Sequence, residues 1–144
     1  MLNIFLIIIL IGGIGFCIYM YYRYITLKSY DPKIDEIKKN LQHVYHSYTR
    51  DNKNIDDIIS IQPSNKSYTI NKSKMYLCLK DKNGNYYNTN MLMYVALHEL
   101  AHVLCDEIGH TDKFHNIFNN LLDIANSLGY YSYSIPITMN YCNY

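Results

Sequence analysis

The stretch His98-Glu99-Leu100-Ala101-His102 lies inside an apolar run that extends over residues 94–104. The run follows Asn88-Thr89-Asn90, which are residues of the kind that cap helix N-termini. A helix is therefore predicted from Met91 to about Cys105. Apolar residues occupy almost every side of this helix, which predicts that it is buried. Burying a carboxylate and two imidazoles there is costly unless they are paired or bind a metal ion.

The spacing of the two histidines is suited to a metal ion. Side chains four residues apart on a helix project from the same face, with Cβ atoms about 5–6 Å apart, so His98 and His102 can both reach one zinc ion. Glu99 lies beside the first of them, where its carboxylate can take a proton from water whose pKa zinc lowers. We therefore predict two zinc ligands and a general base. The alternative is a pair of core histidines satisfied by hydrogen bonds.

A catalytic zinc site needs a third protein ligand and one open position. The candidates follow the helix in sequence: Asp106, Glu107, His110, His115 and Asp123. His110 is favoured because it follows Gly109, where the chain can reverse and return a side chain to the metal. His115 and the carboxylates remain alternatives, and Asp106 could instead be a hydrogen-bond partner of a histidine ligand.

The rest of the sequence predicts an α+β domain. Helical periodicity and capping residues predict helices over residues 32–48 and 112–127. Residues 67–71 and 74–80 are predicted to be strands, the second with strict two-residue alternation. Residues 55–61 are apolar, but they match neither pattern clearly. The expected fold is a set of helices packed on a small antiparallel sheet.

The N-terminal residues form a separate predicted element. Residues 2–22 contain no charged side chain, and at about 1.5 Å per residue they extend roughly 30 Å, the thickness of a hydrocarbon core. A single transmembrane anchor is expected over residues 1–24, followed by a domain over residues 25–144. A cleaved signal peptide is the alternative, although it usually has a basic start and a shorter apolar run.

Charge and cysteine content bear on the compartment. Arg23, Lys28 and Lys33 follow the apolar run and no lysine or arginine precedes it, so the positive-inside rule predicts a cytosolic domain. The 4 cysteines, Cys17, Cys78, Cys105 and Cys142, show no spacing typical of disulfides, and reduced thiols are expected. The formal net charge of +1 gives no broad attraction to nucleic acid.

The motif and the residues after it resemble the WLM and SprT-like zinc metallopeptidases, a group of zincins. The resemblance rests on residues 98–102 and on Gly109-His110-Thr111-Asp112-Lys113-Phe114. It extends loosely over residues 67–130 and includes WLM-type proteins of large DNA viruses. It implies a zincin-like fold and the following roles: zinc ligands His98, His102 and His110, general base Glu99, and packing aromatic Phe114. The gap of 7 residues between His102 and His110 departs from the better-known WLM spacing.

Together these features predict a membrane-anchored zinc metallopeptidase that hydrolyses peptide bonds in a protein or peptide substrate. The resemblance also implies a viral origin. One alternative is a membrane-anchored protein that binds zinc for a structural or interaction role without turnover. Another is a DNA–protein crosslink protease, which the near-neutral charge disfavours. Candidates for stabilising an oxyanion in the reaction are Tyr130, Tyr131 and Tyr133. The sequence indicates no oligomeric state.

Overall fold

The computed structural model of the chain describes residues 2–142, with side chains except those of residues 2, 5 and 26–29. The side chain of Lys28, one of the cations on which the topology prediction rests, therefore lies outside the described residues. The chain forms two compact units, Met1–Asp31 and Pro32–Tyr144, and each is described by itself.

The N-terminal unit is a single helix, α1, over Leu2–Ser29. Its segment Leu6–Ile25 has a mean hydropathy of 1.8 over 20 residues, and the described side chains in that segment are exposed. A helix of this length and composition can cross a membrane, although a signal sequence shares the same properties.

The second unit is a mixed α+β domain. Its elements are, in order, α2 (Pro32–Thr49), α3 (Ile55–Ile58), β1 (Ser60–Pro63), β2 (Tyr68–Ile70), β3 (Lys74–Leu77), α4 (Thr89–Leu104) and α5 (Asp112–Ser127). The three long helices lie where the sequence predicts them. Both predicted strands are present, but each is shorter than expected.

The sheet is mixed, and the prediction of an antiparallel sheet was wrong in this respect. The strand order is β1-β3-β2, with β2 antiparallel to β3 and β1 parallel to it. The parallel partner comes from residues 55–61, which the sequence could not assign because a four-residue helix and a four-residue strand share that short segment. The order leaves β2 at one edge of the sheet.

Helix α4 lies at the centre of the domain, in contact with α2, α5, β2 and β3. Its residues are buried on nearly every side, as the apolar run predicts. The Asn88 side chain caps it, because Oδ1 accepts a hydrogen bond of 2.7 Å from the Met91 amide. The amphipathic helices α2 and α5 cover it with their apolar faces, which include Ile37, Leu41 and Leu121. The motif is therefore held on a rigid element.

A disulfide joins Cys78 to Cys142, so the prediction of reduced thiols was wrong for this pair. The two residues are 64 positions apart, and only the folded course of the C-terminal segment brings them together, so spacing gives no signal. Cys17 and Cys105 are free thiols. Disulfides persist in oxidising compartments and are rare in the cytosol.

Removing this disulfide should destabilise the domain without unfolding it completely. A crosslink that closes a 64-residue loop restricts the unfolded chain, and we expect Cys142→Ser to lower the free energy of unfolding by about 2–4 kcal/mol. Urea unfolding of the oxidised full chain in detergent measures this change. Cys17→Ser is the matched control because Cys17 is a free thiol outside the domain. Equal midpoints for Cys142→Ser and the wild type would contradict the prediction.

Candidate metal centre

Three histidines converge at one end of α4. His98 and His102 lie one turn apart on that helix, and His110 lies in the link to α5. Their potential ligand atoms all lie within 4.8 Å of one another, and the Nε2 atoms of His98 and His110 are 3.1 Å apart. The structure thus brings together the three histidines that the sequence favours as ligands.

This arrangement fits a zinc ion. Nitrogen ligands about 2.0–2.1 Å from a tetrahedral zinc ion lie roughly 3.4 Å from one another, close to the 3.1 Å between His98 and His110. The three imidazole rings are mutually equidistant, with centroid separations of 4.9, 4.9 and 5.0 Å.

The link between α4 and α5 explains how His110 returns to the cluster. Gly109 has a φ of +87°, a left-handed conformation that other residues adopt at a cost. Two residues later, the Thr111 hydroxyl oxygen caps α5 by accepting a hydrogen bond of 3.3 Å from the Phe114 amide. The sharp turn and the cap together fix His110 between two rigid helices.

Phe114 forms an apolar support for the histidines. It is fully buried, and its ring centroid lies 5.0, 4.4 and 4.8 Å from those of His98, His102 and His110, respectively. Its contact with all three rings restricts their orientation. This is the packing role that the resemblance implies for Phe114.

The surroundings of His98 and His102 favour the neutral imidazole, the form that binds metal. Burial and, to a smaller extent, the neighbouring imidazoles of His102, His110 and His115 together lower the pKa of His98 to about 4. Burial, His110 and Lys72 also lower the pKa of His102. Because these groups resist protonation near neutral pH, their ring nitrogens can donate lone pairs to a cation.

Glu99 is a buried carboxyl group, only 6% exposed. One of its oxygens, Oε2, accepts a hydrogen bond of 2.8 Å from the Thr69 hydroxyl on β2. Burial raises the pKa of Glu99, and the hydrogen bond from Thr69 partly opposes this effect. A raised pKa suits a residue that must accept and then release a proton near neutral pH.

The other ligand candidates lie outside the histidine cluster. Asp106 is exposed and pairs with Lys113 at 2.6 Å, and Asp123 accepts a hydrogen bond of 2.7 Å from Tyr133. His115 is exposed, with its ring centroid 6.2 Å from that of His110, and Glu107 is also exposed. Among residues 2–142, the cluster holds three potential ligands and no fourth.

Two cavities flank this centre and share Ser67, His98 and Glu99. The first, about 510 Å³, lies between the N-terminal half of α4 and the C-terminal segment. The second, about 650 Å³, lies between β2 and the link that carries His110. Neither cavity is lined by Tyr130, Tyr131 or Tyr133, the tyrosines proposed for oxyanion stabilisation. The first cavity is lined by Tyr94 and Tyr141 instead.

Thr69 is the residue at the site that the sequence analysis missed. It is an ordinary strand residue 30 positions from Glu99, and no local pattern distinguishes it from other threonines. Only the packing of β2 against α4 brings its hydroxyl to the carboxylate.

Thr69→Val should impair any chemistry that uses Glu99 as a base. The hydrogen bond stabilises the carboxylate and lowers the pKa of Glu99, so its loss should raise that pKa and move the acid limb of the pH–activity profile to higher pH. Thr69→Ser retains a hydroxyl and serves as the control. Superimposable profiles of Thr69→Val and Thr69→Ser would show that the contact does not influence the base.

Comparison with known proteins finds viral relatives. The chain is 54% identical over 94 residues to uncharacterized protein 136R of Invertebrate iridescent virus 6, which covers 63% of this chain and 53% of the relative. It is 48% identical over 91 residues to uncharacterized protein 042R of Invertebrate iridescent virus 3, a match that covers 62% of this chain and 57% of the relative. Uncharacterized protein R325 of Acanthamoeba polyphaga mimivirus is 45% identical over 69 residues, covering 46% and 35%.

The chain therefore spans about half the length, or less, of these relatives. No protein-family profile matches it, and no solved structure matches it. The relatives share a viral origin, and their names indicate no activity. The resemblance to WLM and SprT-like peptidases rests on the motif residues alone.

Proposed function

We propose that this chain is a membrane-anchored, zinc-dependent metallopeptidase with a zincin-like domain. The observation that carries the proposal is the convergence of His98, His102 and His110 beside the buried carboxyl of Glu99. Three protein ligands leave one coordination position available, as in catalytic zinc sites, whereas structural sites are closed by four.

Each residue has a defined part in peptide-bond hydrolysis. The three histidines would hold the zinc ion, which as a Lewis acid supplies polarisation of the substrate carbonyl and acidification of water. Glu99 takes the proton from the attacking water and passes it to the leaving amine. Thr69 holds the Glu99 carboxylate in place, and Phe114 keeps the imidazoles oriented.

The sheet offers a way to hold an extended substrate. Strand β2 pairs with β3 on one side, and within residues 2–142 no strand pairs with its other edge. The cavity that contains His102 and His110 is lined by Tyr68 and Thr69 of β2 and by Asn71 and Lys72 just after it. A peptide can pair its backbone with such an edge by strand addition. Protein or peptide substrates are thus compatible with the shape of the site.

A zinc-binding protein without turnover is the second candidate. Such a protein would have a zinc site closed by a fourth protein ligand, or a Glu99 that cannot act as a base. Cys105 is buried and free, yet it does not join the cluster. A buried glutamate aimed at a cleft also has no evident use in a purely structural centre, because its burial is costly. Peptidase activity explains both the open, three-histidine site and the buried Glu99.

Membrane attachment through α1 is part of the proposal. The charge distribution after this helix favours a cytosolic domain. The Cys78–Cys142 disulfide is the observation against it, because cytosolic thiols are normally kept reduced. Glycosylation acceptor sites introduced into the loop at Gly84 distinguish the two sides. Modification at that loop would place the domain in the lumen and reject the cytosolic orientation.

Peptidase activity is tested with the full chain in detergent and a mixture of unstructured peptides. We expect cleavage that a chelator abolishes and that zinc restores. Zinc binding without cleavage of any peptide would support the structural role instead. Cleavage that continues at full rate after metal removal would contradict both assignments.

A further inference from the structure

The C-terminal segment of the domain forms one wall of the 510 Å³ cavity. Residues 137–139 and 141–142 line this wall, and Met91, Tyr94 and Val95 of α4 line the opposite side. Most of these side chains are apolar. The cavity also contains His98 and Glu99, so whatever occupies it lies directly beside the proposed reaction centre.

The wall is tied to the domain at both ends. At one end, the buried Asn90 side chain donates hydrogen bonds of 3.2 and 3.3 Å to the Ser132 and Ile135 carbonyls. Its Oδ1 atom accepts a hydrogen bond of 2.7 Å from the Ser132 amide. At the other end, Cys142 is joined to Cys78 by the disulfide. Residues 137–139 bridge these two attachments, which gives the cavity a defined width.

Further contacts strengthen the attachment at the disulfide end. The Tyr141 hydroxyl donates to the Cys78 carbonyl and lies 2.8 Å from the Ser67 hydroxyl. Burial raises the pKa of Tyr141 to about 12, so the hydroxyl remains protonated. The Cys142 amide donates to the Tyr87 hydroxyl at 3.0 Å. These contacts fill the hydrogen-bonding capacity of Tyr141, and the cavity is left with a mainly apolar lining.

We propose that this cavity receives a large apolar side chain of the substrate, next to the scissile bond, and that the disulfide-held segment determines this specificity. The inference rests on the proposed peptidase function. The volume lies within the range of about 300–1,000 Å³ typical of ligand sites, and the lining favours leucine, methionine or phenylalanine. The two cavities have different walls: the C-terminal segment bounds the first, whereas β2 and the link that carries His110 bound the second.

The test maps cleavage sites in a randomised peptide library incubated with the zinc-loaded, oxidised full chain in detergent. We expect leucine, methionine and phenylalanine to be enriched at one position flanking the cleaved bond. Peptides with leucine there should be cleaved at least about 10-fold faster than glycine peptides, because an apolar pocket discriminates by roughly 10–200-fold per methylene.

Two variants test the wall itself. Ile137→Lys places a cation in the cavity and should abolish the apolar preference while zinc content stays at the wild-type value. Ile135→Lys is the matched control, since Ile135 is exposed and does not line the cavity. Cys142→Ser releases the wall and should reduce the leucine-to-glycine ratio several-fold.

The outcomes separate this inference from the function on which it rests. Zinc-dependent cleavage with no residue preference at either flanking position would overturn the inference and leave the peptidase function intact. An unchanged preference in Ile137→Lys, with zinc content and thermal midpoint also unchanged, would overturn it as well. Failure to cleave any library peptide would overturn the function and the inference together.

Discussion

Glu99→Gln is expected to reduce peptide cleavage by about 10²–10⁴-fold, the usual contribution of a general base. The glutamine side chain has the same shape, and its carbonyl oxygen can still accept the hydrogen bond that Thr69 donates to Glu99. It cannot take a proton from water at neutral pH. The loss should therefore fall on the catalytic rate, measured as kcat with a fluorogenic peptide.

Zinc content shows whether this loss is chemical. The Glu99 carboxylate is not among the clustered ligand atoms, so Glu99→Gln should retain the metal and the wild-type thermal midpoint. Cleavage at the wild-type rate by this variant would eliminate Glu99 as the base. Loss of zinc from it would instead show that the carboxylate helps to hold the metal.

His102→Ala should weaken zinc binding by more than about 100-fold. Removing a residue that only hydrogen-bonds to a metal ligand typically costs about 10–100-fold in metal affinity, and removing a ligand itself should cost more. Two imidazoles would remain, which is fewer than the three protein ligands typical of catalytic zinc sites. Competition with a chromogenic chelator measures the affinity. Thermal unfolding measured in excess chelator should differ little from the wild type, because His102 is only partly buried.

His115→Ala is the matched control for that experiment. His115 is exposed, and its ring lies 6.2 Å from that of His110, outside the cluster. Its removal should leave the zinc affinity unchanged. A similar loss in both variants would mean that the ligand set differs from the three histidines proposed here.

The features that the sequence predicts correctly are those in which neighbouring residues determine the structure. Capping residues and helical periodicity predict α4, whose predicted start at Met91 lies two residues after the observed one, and α5, whose predicted bounds match the observed ones. The i, i+4 spacing places His98 and His102 on one face, and Gly109 predicts the reversal that returns His110. Each of these features depends on residues close together in the chain.

The missed features depend on contacts between distant parts of the chain. β1 pairs directly with β3 in the sheet, although β2 lies between them in the sequence. The disulfide joins residues that are 64 positions apart. Thr69 reaches Glu99 only because an edge strand packs on the helix. Such contacts leave no local pattern in one sequence, since they are created by the packing of the whole domain.

Zinc analysis combined with X-ray absorption on the purified full chain would show whether His98, His102 and His110 hold a zinc ion with one open position. We predict one zinc ion per chain, held by three imidazoles and one exchangeable non-protein ligand, with no sulfur donor. His110→Ala should lose most of this zinc. A chain that binds no zinc, or a zinc ion closed by a fourth protein ligand such as a cysteine, would contradict the account.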